Sequence, residues 1–285
     1  MVQLIDSDIE TREVLGWKGV HVLHFSGSSC SQKLRVFLNL KKIPWHSHPI
    51  DLPNNENMQP WFLGINPRGL VPVLVHDGAV HIESNDIIQY LEQKFPQPKL
   101  IPFGHENEVA KLLKHEDDLH LDLRTLSFRF VFVPPGPPKS AEALASYAVN
   151  GTGTVQGVRD VEKQMQIEFW KRAAQEGFTD VHARASAQRF RAEFEKLDST
   201  LAKQPYLMGD ALSVLDIAWL IYQNRLALAG YPFARLHPRV KDWADRLCAM
   251  PEFAKEIGQL RHSPQQLDAV RRSQAGQSLE VVAGF

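Results

Sequence analysis

Residues 66–82 are NPRGLVPVLVHDGAVHI, and this stretch decides the fold. It holds a turn, an apolar run with a proline near its start, the dipeptide Asp77-Gly78 and a second apolar run. Asp-Gly between two apolar runs is typical of a tight β-hairpin, and proline is tolerated where a strand begins. We therefore predict two antiparallel strands, 71–75 and 80–82.

The segments on either side of this hairpin complete a small α/β domain. Upstream, the pattern predicts a strand (21–25), a helix closed by Pro44 that contains residues 34–42, a strand (45–50) and a short helix (57–65). Downstream, a helix opens at residues 83–86. The order β-α-β-α-β-β-α within residues 21–95 predicts a small mixed sheet with helices on its faces.

The rest of the chain has a helical pattern. Residues 95–99 contain two prolines and are typical of a linker. Helices are predicted over 109–129, 181–201, from a capping box at Ser213-Asp216 to 226, and over 237–250, with a proline-rich break at 134–138. We expect four parts: an N-terminal arm (1–20), an α/β domain (21–98), an all-helical domain (99–261) with an insert near 130–180, and a weakly packed tail (262–285).

The composition narrows the class of protein. The 285 residues carry a formal net charge of -1, which removes the electrostatic argument for a nucleic acid or an anionic membrane surface as partner. No apolar run of about 18 residues and no signal peptide is evident. Two cysteines, Cys30 and Cys248, make no disulfide framework, and the histidines show no ligand spacing. We expect a cytoplasmic protein without a metal site.

The first candidate site is Ser28-Ser29-Cys30-Ser31, between a predicted strand and a predicted helix. A helix N-terminus stabilises an anion through its unpaired N–H groups and its dipole. A serine hydroxyl there can hold a thiolate, either that of Cys30 or that of a bound ligand. The alternative is that the serines only cap the helix and that Cys30 is a buried small residue.

Two further segment ends are candidate binding sites. A cis Val71-Pro72 bond would leave the backbone of Val71 open to a peptide ligand, although a trans proline at an edge strand is the commoner arrangement. Glu83 could bind an ammonium group, and Ser84 with the first helical N–H groups could bind a carboxylate. The alternative for Glu83-Ser84 is a simple helix cap. Together the three sites suit a γ-glutamyl tripeptide that carries a thiol.

Several of these motifs, in this order, resemble the glutathione transferase superfamily. The segment from Val22 to Pro98 is similar to its thioredoxin-like N-terminal domain, and Ser28-Ser29-Cys30-Ser31 is similar to the signature of the zeta class. Residues 66–74 resemble the stretch around the family's cis proline. The capping box at Asp216 resembles that of the helical C-terminal domain. The resemblance implies a thioredoxin-like α/β domain followed by an all-α domain.

The resemblance also implies roles for individual residues. Ser28 would activate the sulfur of glutathione, with Ser29 beside it and Cys30 as the second choice for this role. Val71 and Pro72 would contact the cysteinyl backbone of glutathione, which is the expected co-substrate. Glu83 and Ser84 would hold its γ-glutamyl end, and Asn57 lies where other classes bind the glycine carboxylate.

The expected activity is a transferase that conjugates glutathione to an electrophilic, apolar or aromatic small molecule bound between the domains, in a homodimer. Another glutathione chemistry (a lyase, a dehalogenase or an isomerase) and a non-catalytic glutathione-binding protein are the alternatives. Two features differ from the zeta class. Glu83 stands where that class usually has glutamine, and the insert resembles the ganglioside-induced differentiation-associated branch.

Overall fold

The computed structural model describes residues 2–132, 139–257, 264–273 and 277–285. Their contacts divide them into two compact units: the first takes the described residues of 1–34, 42–96 and 136–177, and the second those of 35–41, 97–135 and 178–285. The predicted proline-rich break at 134–138 and the expected start of the tail at 262 lie outside the described residues. Unlike the predicted domains, the first unit includes both the N-terminal segment and the described insert.

The regular elements follow the chain in this order. The strands are β1 (Val2–Gln3), β2 (Val20–His24), β3 (His46–Pro49), β4 (Val73–His76), β5 (Ala79–Ile82), β6 (Thr154–Val155) and β7 (Val158–Arg159). The helices are α1 (Ser29–Lys41), α2 (Pro60–Leu63), α3 (Ser84–Lys94), α4 (Glu106–Asp117), α5 (His120–Phe130), α6 (Ala141–Val149), α7 (Glu162–Glu176), α8 (Asp180–Leu201), α9 (Val214–Leu228), α10 (Phe233–Leu236), α11 (Pro238–Cys248), α12 (Pro251–Ala254), α13 (Pro264–Ser273) and α14 (Leu279–Ala283).

A five-stranded mixed sheet with strand order β1-β5-β4-β2-β3 organises the first unit. β2 and β3 are parallel, and the other neighbours are antiparallel. The β4-β5 hairpin turns at Asp77 (φ 50°) and Gly78 (φ 83°), and positive φ at both residues is what a two-residue type I′ turn requires. The predicted order β-α-β-α-β-β-α is confirmed, and with it the α/β, thioredoxin-like fold of this segment.

One face of this sheet carries an apolar core. Its buried members come from the sheet, from the N-terminal segment, from the region around α2 and from β6: Leu4, Ile9, Val14, Leu23, Ile50, Phe62, Ile65, Val73, Val75, Val80, Ile82 and Val155. Strand residues two apart share a face, which explains why Val73 and Val75 both point into this core. The core therefore joins the predicted α/β domain to the N-terminal segment and to the insert.

The first twenty residues were expected to form an arm with little pattern, and they are packed. β1 extends the sheet by pairing Val2 with Ile82. Leu4, Ile9 and Val14 are buried in the apolar core. β1 satisfies unpaired backbone groups at the edge of the sheet, which explains why this segment is fixed in place. Its short sequence pattern does not indicate this pairing.

The insert folds as α6, a hairpin of β6 and β7, and α7. The carboxylate of Asp8 accepts hydrogen bonds from the backbone N–H groups of Gln156 (2.7 Å) and Gly157 (3.0 Å) and from the hydroxyl of Thr154 (2.8 Å). Val155, between them, lies in the apolar core. The N-terminal segment and the insert therefore hold each other in the first unit.

The second unit is helical, and α9 is its central helix, with most of its residues buried. The predicted capping box is present: Asp216 accepts from the N–H of Ser213 (2.9 Å). The same buried carboxylate accepts from the N–H of Leu207 and the indole N–H of Trp243, both at 2.9 Å. Asp216 thus joins the start of α9 to two other parts of the unit.

Two predictions for the second unit differ from the structure, the second of them at the end of the chain only. Residues 109–129 form two helices, α4 and α5, rather than one. The break occurs where the N–H of Leu119 bonds to the carbonyl of Glu116, three residues back, at 3.1 Å, which is a 3₁₀-type turn. The tail was expected to be weakly packed, yet Leu279 in α14 is fully buried. The carbonyl of Val282 also accepts from Arg184 of α8 at 3.0 Å.

None of the helices in the described ranges has the combined length and apolar character that crossing a bilayer requires.

Candidate functional site

Ser28 precedes the first turn of α1. Its Oγ accepts a hydrogen bond from the N–H of Ser31 at 3.3 Å, so it caps the helix. This contact uses Ser28 as an acceptor, and a hydroxyl keeps one hydrogen to donate. Capping and thiolate binding by Ser28 are therefore compatible, and the two interpretations left open by the sequence do not exclude each other.

The two cysteines lie in different units and differ in chemistry. Neither forms a disulfide. Burial raises the pKa of Cys248, in α11, to about 11, so this thiol stays protonated near neutral pH. Cys30 is half-buried in the first turn of α1, where Ser29 is buried. Of the two thiols, Cys30 is the one placed for chemistry at a helix N-terminus.

The register between β2 and β4 places Ser28 and Val71 at the same end of the sheet. Leu23 of β2 pairs with Val73 of β4 in antiparallel register. The chain therefore leaves β2 beside the point where it enters β4. Val71-Pro72 directly precedes β4, and its peptide bond is cis, as the family resemblance implied.

Asn57 holds the loop that leads into Val71. Its side-chain N–H₂ donates to the carbonyl of Gly69 at 2.7 Å, while Asn66 donates to the carbonyl of Leu70 at 2.8 Å. Asn57 is 7% exposed, and its Oδ1 is buried without a hydrogen-bond partner in the described structure. In this conformation Asn57 supports the loop, and its buried amide oxygen is the polar atom left for a further donor.

Glu83 and Ser84 form the entry to α3. Glu83 has φ 66° and ψ 112°, and its carbonyl accepts the N–H of Ile87. Its carboxylate Oε1 lies 2.5 Å from Nη1 of Arg68. Ser84 is buried at the first position of the helix. A non-glycine residue with positive φ is uncommon, and it marks a backbone held by its surroundings.

Lys33 connects the two helix starts, a contact that the sequence did not reveal. The lysine is fully buried, and its Nζ donates to Oδ1 of Asn85 at 2.9 Å. Asn85 is the second residue of α3, directly after Ser84. Lys33 thus ties α1, which begins beside Ser28, to the helix that begins beside Glu83. The sequence signal for this contact was the position of Lys33 on the apolar side of a predicted helix.

Arg68, Tyr147 and Asp160 are further site residues that sequence reasoning missed. Arg68 donates through Nε and Nη2 to the two carboxylate oxygens of Asp160, at 3.0 and 2.8 Å. The hydroxyl of Tyr147 donates to the backbone carbonyl of Arg68 at 2.5 Å. Arg68 stands in the quoted loop motif, but Tyr147 and Asp160 lie 79 and 92 residues away and no local pattern indicates these contacts.

Among the described residues, no group of three or more His, Cys, Asp or Glu side chains could hold a metal ion.

Family models match both parts of the chain. Residues 27–94 match the N-terminal domain of glutathione S-transferases, and residues 179–246 match their C-terminal domain. The first match contains every candidate residue that the sequence singled out. The insert lies between the two matches.

Individual relatives agree with this assignment. The chain is 43% identical over 75 residues to a zeta-class glutathione S-transferase of Euphorbia esula and 42% identical over 77 residues to maleylacetoacetate isomerase of Pseudomonas aeruginosa. These matches take in 26% of this chain and 33% and 36% of the two relatives, so the chain spans about a third of their length.

A longer match is to protein LigF of Sphingobium sp., 29% identical over 223 residues, which is 71% of this chain and 79% of that protein. The crystal structure of the β-etherase LigF superposes with a TM-score of 0.69 at 26% identity. It covers 83% of this chain and 98% of LigF. The domain matches, the relatives and the fold agree: this chain belongs to the glutathione transferase superfamily, with an N-terminal domain like that of the zeta class.

Proposed function

We propose that this protein is an enzyme that conjugates glutathione to an electrophilic, apolar or aromatic small molecule. Glutathione is the thiol co-substrate of its family. The observation that carries the proposal is the position of Ser28, at the start of α1 and at the same end of the sheet as the cis Val71-Pro72 peptide. A thiol anchored along Val71 would meet the hydroxyl and the helix N-terminus together.

Chemically, Ser28 would stabilise the glutathione thiolate. A hydrogen bond to the charged form of a group, together with the positive end of a helix, lowers the pKa of a thiol. The thiolate is the nucleophile, so more of it near neutral pH means a faster attack on an electrophilic carbon. Ser29 adds its backbone N–H to this helix start, and Cys30 is the second candidate for the thiol chemistry.

The rest of glutathione would follow the remaining candidate residues. The backbone of Val71, set by Pro72, would pair with the cysteinyl residue. Glu83 would attract the γ-glutamyl ammonium group, and Ser84 with the first N–H groups of α3 would take its carboxylate. Asn57 would contribute to glutathione binding by holding the loop that leads into Val71, since its side chain donates to the carbonyl of Gly69.

A thermal-shift titration with glutathione tests binding. A ligand that binds only the folded protein raises its stability by about 2.7 kcal/mol at a hundredfold excess over Kd. We expect a rise in the wild type that shrinks in Glu83→Ala. The absence of a shift at millimolar glutathione would overturn the proposal.

Turnover of an aryl halide tests the role of Ser28. Ser28→Ala should lower kcat by roughly 100-fold, which is typical when a donor to a reacting anion is removed. Ser278 is a matched control, because its Oγ caps α14 through the N–H of Val281 at 3.3 Å. Ser278→Ala should leave kcat unchanged. If Cys30→Ala abolishes turnover while Ser28→Ala does not, Ser28 is not the residue that activates the glutathione thiol.

Ether cleavage is the second candidate, and the match to the β-etherase LigF over 71% of the chain favours it. The thiolate would attack the carbon that bears an aryloxy group. A C–S bond forms, the C–O bond breaks, and the aryloxide leaves and takes a proton from water. Incubation with a β-aryl ether should then give a glutathione adduct and one equivalent of phenol by mass spectrometry. Binding of glutathione with turnover of neither substrate would indicate a non-catalytic protein.

We also propose that the protein is a cytoplasmic homodimer, as its family resemblance implies. Light scattering after size exclusion measures the assembly directly. A particle of about twice the chain mass of 32.3 kDa is expected. A particle of the chain mass itself would contradict the dimer without affecting the glutathione site.

A further inference from the structure

The insert packs on the loop that leads into Val71. Tyr147 of α6 is buried, and its hydroxyl donates to the backbone carbonyl of Arg68. The ring of the same tyrosine lies against the next residue, Gly69. The two residues that Tyr147 contacts stand three and two positions before Val71. A single buried side chain of the insert therefore touches this loop through a polar and an apolar contact.

The insert also reaches the loop on the other side of α2. Lys139 donates through Nζ to the carbonyl of Leu52 at 3.2 Å and to Oδ1 of Asn55. Helix α6 packs on the turn of residues 56–58, which contains Asn57. Both loops that flank α2 are therefore in contact with the insert, and both contain residues proposed to bind glutathione.

The carbonyls of residues 68–70 are held by side chains. Their donors are, in order, Tyr147 at 2.5 Å, Asn57 at 2.7 Å and Asn66 at 2.8 Å. Asn57 and Asn66 belong to the α/β domain, so the first of these bonds is the contribution of the insert. Among the described residues, the backbone N–H and C=O groups of Val71 have no hydrogen-bond partner. The fixed loop thus ends at backbone groups that a peptide ligand can pair with.

A loop that is fixed before a ligand arrives does not have to be ordered when the ligand binds. Such preorganisation raises affinity without adding a contact to the ligand. A carbonyl that loses its donor in a partly buried place favours conformations in which it reaches another donor or water. Removal of the Tyr147 hydroxyl should therefore release the carbonyl of Arg68 and, with it, the position of Val71.

We infer that Tyr147 is a positioning residue for the glutathione site: by holding the carbonyl of Arg68, it fixes the loop so that the backbone of Val71 lies where it can pair with the cysteinyl residue of the ligand. The inference rests on the proposed function, and it gives the insert a role in that site. It predicts that backbone pairing at Val71, rather than the chemistry at Ser28, depends on Tyr147.

The test compares two thiols by calorimetry. One is glutathione, and the other is its depsipeptide analogue, in which an ester oxygen replaces the cysteinyl N–H that would donate to the carbonyl of Val71. The wild type should prefer glutathione on the order of tenfold, because the analogue loses one hydrogen bond and leaves a carbonyl without a donor. In Tyr147→Phe this preference should fall to about threefold or less, because the Kd of glutathione rises while that of the analogue changes little.

Two further measurements separate positioning from general support of the fold. Tyr206→Phe, at a half-buried position of the second unit, is the matched control and should keep the wild-type preference. The kcat of Tyr147→Phe at saturating glutathione should stay within about twofold of the wild type, because an effect on binding alone leaves kcat unchanged.

Each other outcome overturns the inference. An unchanged preference in Tyr147→Phe means that the insert does not act on Val71. An equal loss of affinity for both thiols means that Tyr147 only supports the fold, and a fall in kcat at unchanged Kd means that it acts on the thiol chemistry. Equal binding of both thiols by the wild type means that Val71 does not pair with the cysteinyl N–H. Failure of the wild type to bind glutathione, by contrast, would remove the proposed function itself.

A second variant keeps the inference testable if Tyr147→Phe does not fold. Nζ of Lys163 donates to the carbonyl of Asn150 at the end of α6, and it lies 5.2 Å from the centre of the Tyr147 ring. Lys163→Met removes both interactions and keeps an apolar side chain of similar length. The preference for glutathione over the analogue should again fall, and an unchanged preference would contradict the role of the insert.

Discussion

The hydroxyl of Tyr147 donates a hydrogen bond of 2.5 Å to the backbone carbonyl of Arg68, 79 residues earlier in the chain. The ring of Tyr147 also lies against Gly69, where an added Cβ would come within 2.8 Å of its Cε2 atom. A side chain of the insert therefore packs on the loop that leads into Val71. The stability of that loop should depend on this contact.

Tyr147→Phe removes the hydroxyl and keeps the ring. The carbonyl of Arg68 then loses its donor in a partly buried place, which should lower the free energy of unfolding by about 1 kcal/mol. Urea denaturation measures the change as a shift in midpoint at constant slope. Tyr206→Phe, at a half-buried position in the second unit, is the control and should change stability by less than about 0.5 kcal/mol. Equal effects in the two variants would show that the hydrogen bond from Tyr147 to Arg68 does not stabilise the folded protein.

Gly69→Ala tests the close approach of ring and loop. Gly69 has φ 63°, and a Cβ there would also lie 3.0 Å from the carbonyl oxygen of Asn57. Gly153 is a matched control, because its φ is 70° and nothing lies within 4 Å of its added Cβ. Both alanine variants bear the left-handed backbone cost of about 1–2 kcal/mol.

Only Gly69→Ala adds a steric clash, which should cost a further 1–3 kcal/mol or so. Thermal unfolding of the two variants side by side isolates this difference. If Gly153→Ala is destabilised as much as Gly69→Ala, the ring contact is not tight in solution.

Asp216→Asn tests the polar centre of the second unit. The carboxylate is fully buried and accepts from the N–H groups of Leu207 and Ser213 and from Trp243. An amide replaces one acceptor by a donor that faces other donors, so we expect a loss of about 1.5–3 kcal/mol. Asp210→Asn, at an exposed position, should be close to neutral. Urea midpoints of both variants measure this loss of stability. An unchanged midpoint in Asp216→Asn would contradict the stabilising role of these hydrogen bonds.

The parts of the fold that the sequence predicted all have local signals. Asp77-Gly78 specifies its own turn, and Ser213 with Asp216 forms a capping box within three residues. The contacts that could not be predicted join residues far apart: Asp160 meets Arg68 across 92 positions, and Lys33 meets Asn85 across 52. Neither periodicity nor turn chemistry carries information on such pairs. The candidate residues could be named, but the groups that fix their charge and orientation could not.

The attachment of the N-terminal segment to the insert should depend on pH through Asp8. Burial acts to raise the pKa of Asp8, but hydrogen bonds from Gly157, Ile5, Thr154 and Gln156 outweigh it and hold this pKa below its ordinary value. A carboxyl whose pKa is lower in the folded state adds stability above its unfolded pKa of about 3.9 and loses it as the pH falls through the folded value.

Asp8→Asn should therefore cost about 1.5–3 kcal/mol near pH 7, because hydrogen bonds to a charged acceptor are lost. Below about pH 4 the wild type loses the same contribution, so the two proteins should become more alike. Urea midpoints of wild type and variant at pH 7, 5 and 3 measure this convergence. Asp117→Asn, at an exposed position of α4, should stay parallel to the wild type across the series. A difference between wild type and Asp8→Asn that is constant with pH would mean that Asp8 acts through its shape rather than through its charge.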